Sequence, residues 1–311
     1  MPATPIETPD AVNDAVPPRD EKTQRLIEQF FDRVGEVSTL PSTALRVIEV
    51  ANSPGFEIAD LYDVVQTDPA LALRILRTVN SSYYSLRNQV KDLRMGITLL
   101  GYKEVRNLAL TIYVSQLFKS SAGHGNYRRE DLWNHCVSVG ATSRFIAKSY
   151  ADDTAESIYL AGLLHDVGLI LEDQHIHQPF CKLLDTLSDQ QPTTQTEAEL
   201  FGFDHTELGY HMAHRWKLPP DIAASIRYHH SPDDYDGEHR RTVCLVSVAN
   251  YLCSARGITS LGVNNTPIPP QHVFAEIGIG TKELGEIWGQ LDEVHEQASK
   301  MLPGAGAQRS S

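Results

Sequence analysis

The chain has 311 residues, 41% hydrophobic and 22% charged, the balance of an ordinary globular protein with apolar mass for one large core or two modest ones. Its formal net charge of -13 argues against nucleic acid as the principal partner, because affinity for a phosphate backbone is built on Lys and Arg. No run approaches the roughly 18 to 20 apolar residues of a membrane helix, and the opening MPATPIETPD has no basic stretch leading into an apolar one; the sequence therefore predicts a cytoplasmic protein that makes no membrane contact. Cys136, Cys181, Cys244 and Cys253 form no CxxC pair and read as buried thiols.

In chain order, residues 1–22 carry Pro2, Pro5, Pro9, Pro17 and Pro18 among small and acidic residues, which predicts a flexible tail. Helical spacing follows, with Leu26, Phe30 and Val34 on one stripe and Leu71, Ile75 and Val79 on another. The second stripe opens with Asp68-Pro69, a side-chain cap followed by proline at the first helical position. Leu100-Gly101 marks a helix end, and Asp204 with Glu207 has capping-box spacing ahead of an amphipathic run from Leu208 to Trp216. From residue 258 the pattern becomes irregular, then resumes with Leu284, Ile287, Trp288, Leu291 and Val294 on one face, which predicts a C-terminal helix docked on the rest of the chain ahead of a disordered end. The periodicity predicts about a dozen helices, no sheet and an all-α fold.

Thirteen histidines carry the strongest chemical signal. His135 in LWNHCVSVG, His165-Asp166 in AGLLHDVGLI, His205 in FDHTELG and His229-His230 in IRYHHSP all fall where helices are predicted. A lone histidine in an apolar helix is more often a hydrogen-bonded core residue than a ligand. A buried carboxylate such as Asp166, however, needs a partner or a proton, and adjoining His and Asp can converge on a metal lying between their directions. Imidazole with carboxylate suits iron, manganese or zinc, one or two ions, and such a centre activates water and neutralises phosphoryl charge. His211 and His214 read as surface residues, and Asp131, one turn before His135, as an added carboxylate ligand or a helix-start residue. Trp133 and Trp216 read as core anchors.

Leu40-Pro41, TDPALALRILRTVNSSYYS, ITLLGYKEVRNLAL, LWNHCVS, LLHDVGL, DHTELGYHMAHRWKLP and IRYHH occur in the order of the HDOD family, the HD-related output domains of bacteria, which the chain resembles. The resemblance implies a helical N-terminal bundle, about 37–121, packed on an HD-like helical core, about 122–257, within a domain spanning 23–257 and followed by an extension over 258–311. It implies metal ligands at His135, His165, Asp166, His205, His229 and His230, by likeness to HD-GYP phosphodiesterases, and a role for Asn80 and Ser81 in holding the two lobes together. The other reading of Asn80 and Ser81 is a helix terminus whose short polar side chains bond the backbone. Three departures from the phosphodiesterase pattern point away from turnover: Asn250, an extra ligand that coordinates only weakly, replaces a closing aspartate ligand, Leu169 replaces a phosphate-holding lysine, and the GYP loop is missing. The implied function is a regulatory or scaffolding module with signalling proteins or a nucleotide second messenger as partners. The alternative is a metal-dependent phosphohydrolase acting on a cyclic dinucleotide or another phosphate ester.

Overall fold

A computed structural model describes residues 20–34, 41–53, 55–80, 86, 88–119, 123–151 and 155–301. Leu40, Ser81, most of the N-terminal tail and the last ten residues lie outside them. An N-terminal lobe is formed by α2 (Ser42–Asn52), α3 (Ile58–Val65), α4 (Pro69–Val79), α5 (Leu93–Leu100) and α6 (Tyr102–Leu117). A two-residue hairpin, β1 (Gly123–His124) with β2 (Tyr127–Arg128), leads into α7 (Arg129–Ile146), which runs on into a π-helical turn. There follow α8 (Ala155–Leu164), α9 (Val167–His175), α10 (His177–Thr186), α11 (Thr193–Phe201), α12 (His205–Arg215), α13 (Pro220–Tyr228), α14 (Arg240–Ala255), α15 (Gln271–Glu276) and α16 (Thr281–Met301). The fold is all-α apart from this hairpin, and it holds more helices than the periodicity predicts because apolar runs break at sharp turns. Gly101, at φ 79°, both ends α5 and starts α6, a backbone conformation that glycine adopts without steric cost.

Local chemistry sets the helix starts. Asp68 accepts hydrogen bonds from the amides of Ala70 and Leu71, and the Tyr113 hydroxyl donates to its second oxygen, tying α4 to α6. Leu71, Ile75 and Val79 are then fully buried. At the far end of α4, Asn80 donates to the carbonyls of Leu76 and Val90 and accepts from the Val90 amide. All these bonds stay within the N-terminal lobe, as the helix-terminus reading of Asn80 expects.

The lobes meet mainly where α6 packs on α8, and one cluster of buried apolar side chains runs through both. The first helix, α1 (Glu21–Val34), lies on the HD-like lobe. Its buried stripe is Ile27, Phe30 and Phe31, one position on from the predicted one, with Leu26 and Val34 only half-buried. Phe30 meets Phe203 edge-on, the Arg215 guanidinium stacks over Phe31, and the Thr23 hydroxyl donates to the Gly202 carbonyl. Trp133 and Trp216 are core residues. Cys136, Cys244 and Cys253 are buried, but Cys181 is partly exposed because it sits on the outer side of α10; all four are free thiols. The C-terminal helix docks within the chain, with Ile287 and Leu291 buried as α16 packs on α7. Among the described residues no helix is long and apolar enough to cross a membrane.

Candidate metal centre

Glycines let the helices that carry the histidines approach closely. At the α7–α8 crossing, a Cβ on Gly162 would lie 2.8 Å from the Cα of Gly140, so the two helices touch backbone to backbone and bring His135 towards His165. His165 and Asp166 occupy the turn between α8 and α9 rather than a continuous helix, with the Asp166 backbone at φ -100° and ψ 19°. Gly168 presses directly on the start of α12, where a Cβ would meet the His205 carbonyl oxygen at 1.9 Å. The Asp204–Glu207 capping box fixes that start, and His229 caps the end of α13.

The result is one buried carboxylate facing four imidazoles. Asp166 Oδ2 lies 3.3 Å from His165 Nε2 and 3.6 Å from His135 Nε2, while Oδ1 lies 3.4 Å from both His205 Nε2 and His229 Nε2. The Nε2 atoms of His135 and His165 are 3.3 Å apart. Each of the four rings donates its Nδ1–H outward: His165 to the Gly162 carbonyl at 2.7 Å, His135 to the Ile258 carbonyl at 2.7 Å, His229 to the Ile226 carbonyl at 3.0 Å, and His205 to the Glu197 carboxylate at 2.7 Å. Carbonyl oxygens only accept, so these bonds fix the tautomer of His135, His165 and His229 and leave each of their Nε2 atoms a lone-pair donor aimed inward.

The lone pairs of these three rings thus face those of the Asp166 carboxylate. Asp166 Oδ1, His205 Nε2 and His229 Nε2 are buried without a hydrogen-bond partner. A cation at the shared point would relieve the cost of that burial. Ligand atoms of Asp166, His205, His229 and His230 lie within 4.8 Å of one another, as do those of His135, His165 and Asp166, so two groups share the one carboxylate. His230 is the partly exposed member; the other imidazoles are at most 1% exposed. Outward hydrogen bonds to carbonyls and a carboxylate are the supports that orient metal-ligating histidines.

Electrostatics prepares the same ligand set. Burial pushes His135 and His229 down to about 4 and His230 further, so these rings are neutral at physiological pH. Burial pulls His205 the same way, but Glu197 at its Nδ1, helped by Asp166 and Asp204, lifts it to about 9. Burial alone would raise the Asp166 carboxyl, yet His165 and the rings around it hold it well below the usual carboxylate range. Behind His205, burial and then the Glu197 and Asp204 carboxylates push Glu172 well above its ordinary value.

The structure brings His135, His165, Asp166, His205, His229 and His230 together. Asp131 is half-buried near the start of α7 and joins neither group, because a residue one turn earlier on that helix stops short of the crossing at Gly140. Asn250 is buried on α14 and its side-chain amide contacts His135. His214 is exposed and donates to the Tyr210 carbonyl; His211 is half-buried rather than a surface residue, and neither joins the centre. Leu169, in the place of the phosphodiesterase lysine, is buried in the core. Sequence reasoning missed Glu197, whose carboxylate accepts both the His205 ring and the His205 amide. It also missed the carbonyls of Gly162, Ile226 and Ile258, which carry no side-chain signal at all.

Comparison with known proteins agrees with this architecture. The HDOD domain model matches residues 37–232. A crystal structure of an HDOD domain protein of unknown function from Geobacter sulfurreducens is similar with a TM-score of 0.75 and 25% identity, covering 91% of this chain and 99% of that one. Another, from Marinobacter aquaeolei and ascribed to signal transduction, gives a TM-score of 0.71 and 26% identity over 91% of this chain and 64% of that one. An uncharacterized protein of Treponema pallidum (strain Nichols) is 24% identical over 232 residues, 74% of this chain and 44% of the relative, so the chain spans less than half of that protein's length. With more than half of its residues matched by the family model, the chain belongs to the HDOD family.

Proposed function

We propose that the protein is a bacterial, cytoplasmic signalling module whose HD-like lobe holds one or two divalent first-row metal ions, iron, manganese or zinc, in a closed centre that serves regulation rather than turnover. The observation that carries this reading is the convergence of four imidazole Nε2 atoms on the buried Asp166 carboxylate, every Nδ1–H being held by a fixed acceptor. Mixed nitrogen and oxygen ligands without thiolate favour these metals. His135, His165 and Asp166 would hold one ion, and Asp166, His205, His229 and His230 a second. When bound, a metal would act as a Lewis acid on water or a phosphoryl oxygen.

The lean away from catalysis rests on access and charge. Four of the five imidazoles are at most 1% exposed, which leaves only the partly exposed His230 to meet a substrate. Asn250 contributes no anion, and the buried Leu169 contributes no cation to a phosphate. Signalling proteins, or a nucleotide second messenger, are the partners this reading calls for. The five imidazoles gathered with Asp166 favour the second reading, a metal-dependent phosphohydrolase acting on a cyclic dinucleotide or another phosphate ester.

Elemental analysis after anaerobic purification, beside His165→Ala, tests the metal, of which the variant is expected to hold less. A panel of cyclic dinucleotides then separates the two readings. No turnover by the metal-loaded protein supports the regulatory module, and hydrolysis moves the assignment to the enzyme. Gain of hydrolysis in Asn250→Asp would locate the missing function at that amide.

A further inference from the structure

The segment after residue 232, beyond the region matched by the HDOD model, reaches back to the centre through the carbonyl of Ile258. His135 donates its Nδ1–H to the carbonyl of Ile258, and this bond selects the tautomer that turns Nε2 inward. Ile258 lies two residues past Arg256, the C-cap of α14, in a turn where Gly257 takes φ 85° and the Ile258 amide bonds the Cys253 carbonyl at 3.0 Å.

Arg256 is in turn gripped by α16. Its guanidinium makes a two-pronged pair with Asp292, one prong at 3.0 Å and the other at 2.5 Å, and stacks 4.9 Å from the Trp288 ring centroid. Ile287 and Leu291 bury the same helix against α7, and His295 of α16 meets the Thr142 hydroxyl of α7 at 3.2 Å. Within the same segment, His272 of α15 pairs with Asp233 at 2.6 Å.

We propose that α16 is a positioning element of the metal centre: docked through Arg256 and its apolar face, it holds the Ile258 carbonyl on His135 Nδ1 and so keeps His135 Nε2 turned to Asp166. The proposal rests on the reading of these histidines as metal ligands and adds how that ligation is controlled. Anything that lifts α16, such as a partner protein competing for the face of Ile287 and Leu291, would loosen one imidazole without touching the other three. A ligand support of this kind is worth roughly 10- to 100-fold in metal affinity.

The test uses the full-length chain with Leu291→Asp, which undocks α16, and Arg256→Ala, which releases only the polar grip. Three readouts are taken: amide hydrogen exchange in α16, the His135 tautomer by nitrogen-15 NMR, and zinc affinity by chelator competition. In the wild type, His135 is expected as the Nδ1–H tautomer. Leu291→Asp should speed exchange throughout α16, give His135 a mixture of tautomers and weaken zinc by roughly 10-fold or more, with the His205 ring unaffected. Arg256→Ala should move the same readouts less, and Arg256→Lys should restore them in part.

Free exchange in α16 with an unchanged His135 tautomer and unchanged affinity would overturn the proposal, since the α14 cap alone would then hold Ile258. Should Leu291→Asp unfold the whole chain, Arg256→Ala decides by the same readouts. If the wild type takes up no zinc, iron or manganese, the metal reading fails, and the tautomer still decides the coupling.

Discussion

Gly168→Ala is the smallest change that should separate the centre's halves. An added Cβ would lie 1.9 Å from the His205 carbonyl oxygen, 2.7 Å from its carbonyl carbon and 2.8 Å from its Cα. All three are backbone atoms, so no side chain can swing aside, and relief to 3.0 Å needs α9 and α12 to part by about 1.1 Å. Overpacking of this kind costs about 1 to 3 kcal/mol of stability. The same shift carries His205 away from Asp166, and 1.1 Å is several times the roughly 0.2 Å tolerance of a metal–ligand distance. Metal affinity is therefore expected to fall about 100-fold or more, beyond the range for loss of a ligand's support. Urea unfolding of the metal-free protein gives the first number and chelator competition the second. A Gly168→Ala protein as stable as wild type, with wild-type affinity, would refute the claim that this contact sets the spacing of Asp166 and His205.

Further expectations follow from the same geometry. Glu197→Gln should bring His205 down from about 9, seen as an earlier ring titration by NMR in the metal-free protein, and weaken metal binding roughly 10- to 100-fold. Because His205 carries a proton at neutral pH without metal, metal uptake should release it, and apparent affinity should climb by up to about 10-fold per pH unit until about 9, as read in a weakly buffered indicator solution. Asp173→Asn strips the counter-charge from buried Arg129 and should cost about 3 to 5 kcal/mol in denaturant unfolding. Against the upward push of burial, Arg129, Tyr127 and His177 hold that carboxyl low, so its stabilisation is present above the unfolded carboxylate value near pH 3.9 and is lost as pH falls through the folded one. Gly289→Ala, at an exposed position of α16 with open space around its Cβ, should stabilise that helix by roughly 0.5 to 1 kcal/mol, measured as slower amide exchange.

The amino-acid sequence by itself determined the all-helical class and, through the family likeness, the histidines and aspartate that gather at the centre. Asp68-Pro69 and the Asp204–Glu207 box announce helix starts because capping is local chemistry, readable within four residues. The apolar stripe Leu71, Ile75 and Val79 is buried as its spacing predicts, since a helical face has one period. The histidines and Asp166 stood out because imidazole beside carboxylate in apolar surroundings needs a reason to be there.

Tertiary structure alone decided which of these residues meet. His135 and His165 come together through a Gly140–Gly162 contact between helices, and whether a glycine is a weak helix residue or a crossing point depends on the neighbour it faces. The break that puts His165-Asp166 in a turn, the placing of α1 on the HD-like lobe and the sorting of Asp131 away from the centre all depend on packing between segments far apart in the chain. Glu197 and the carbonyl of Ile258 were illegible for the same reason: a support is defined by the ring it touches, and a backbone oxygen is common to every residue, so only the folded distances of 2.7 Å single them out.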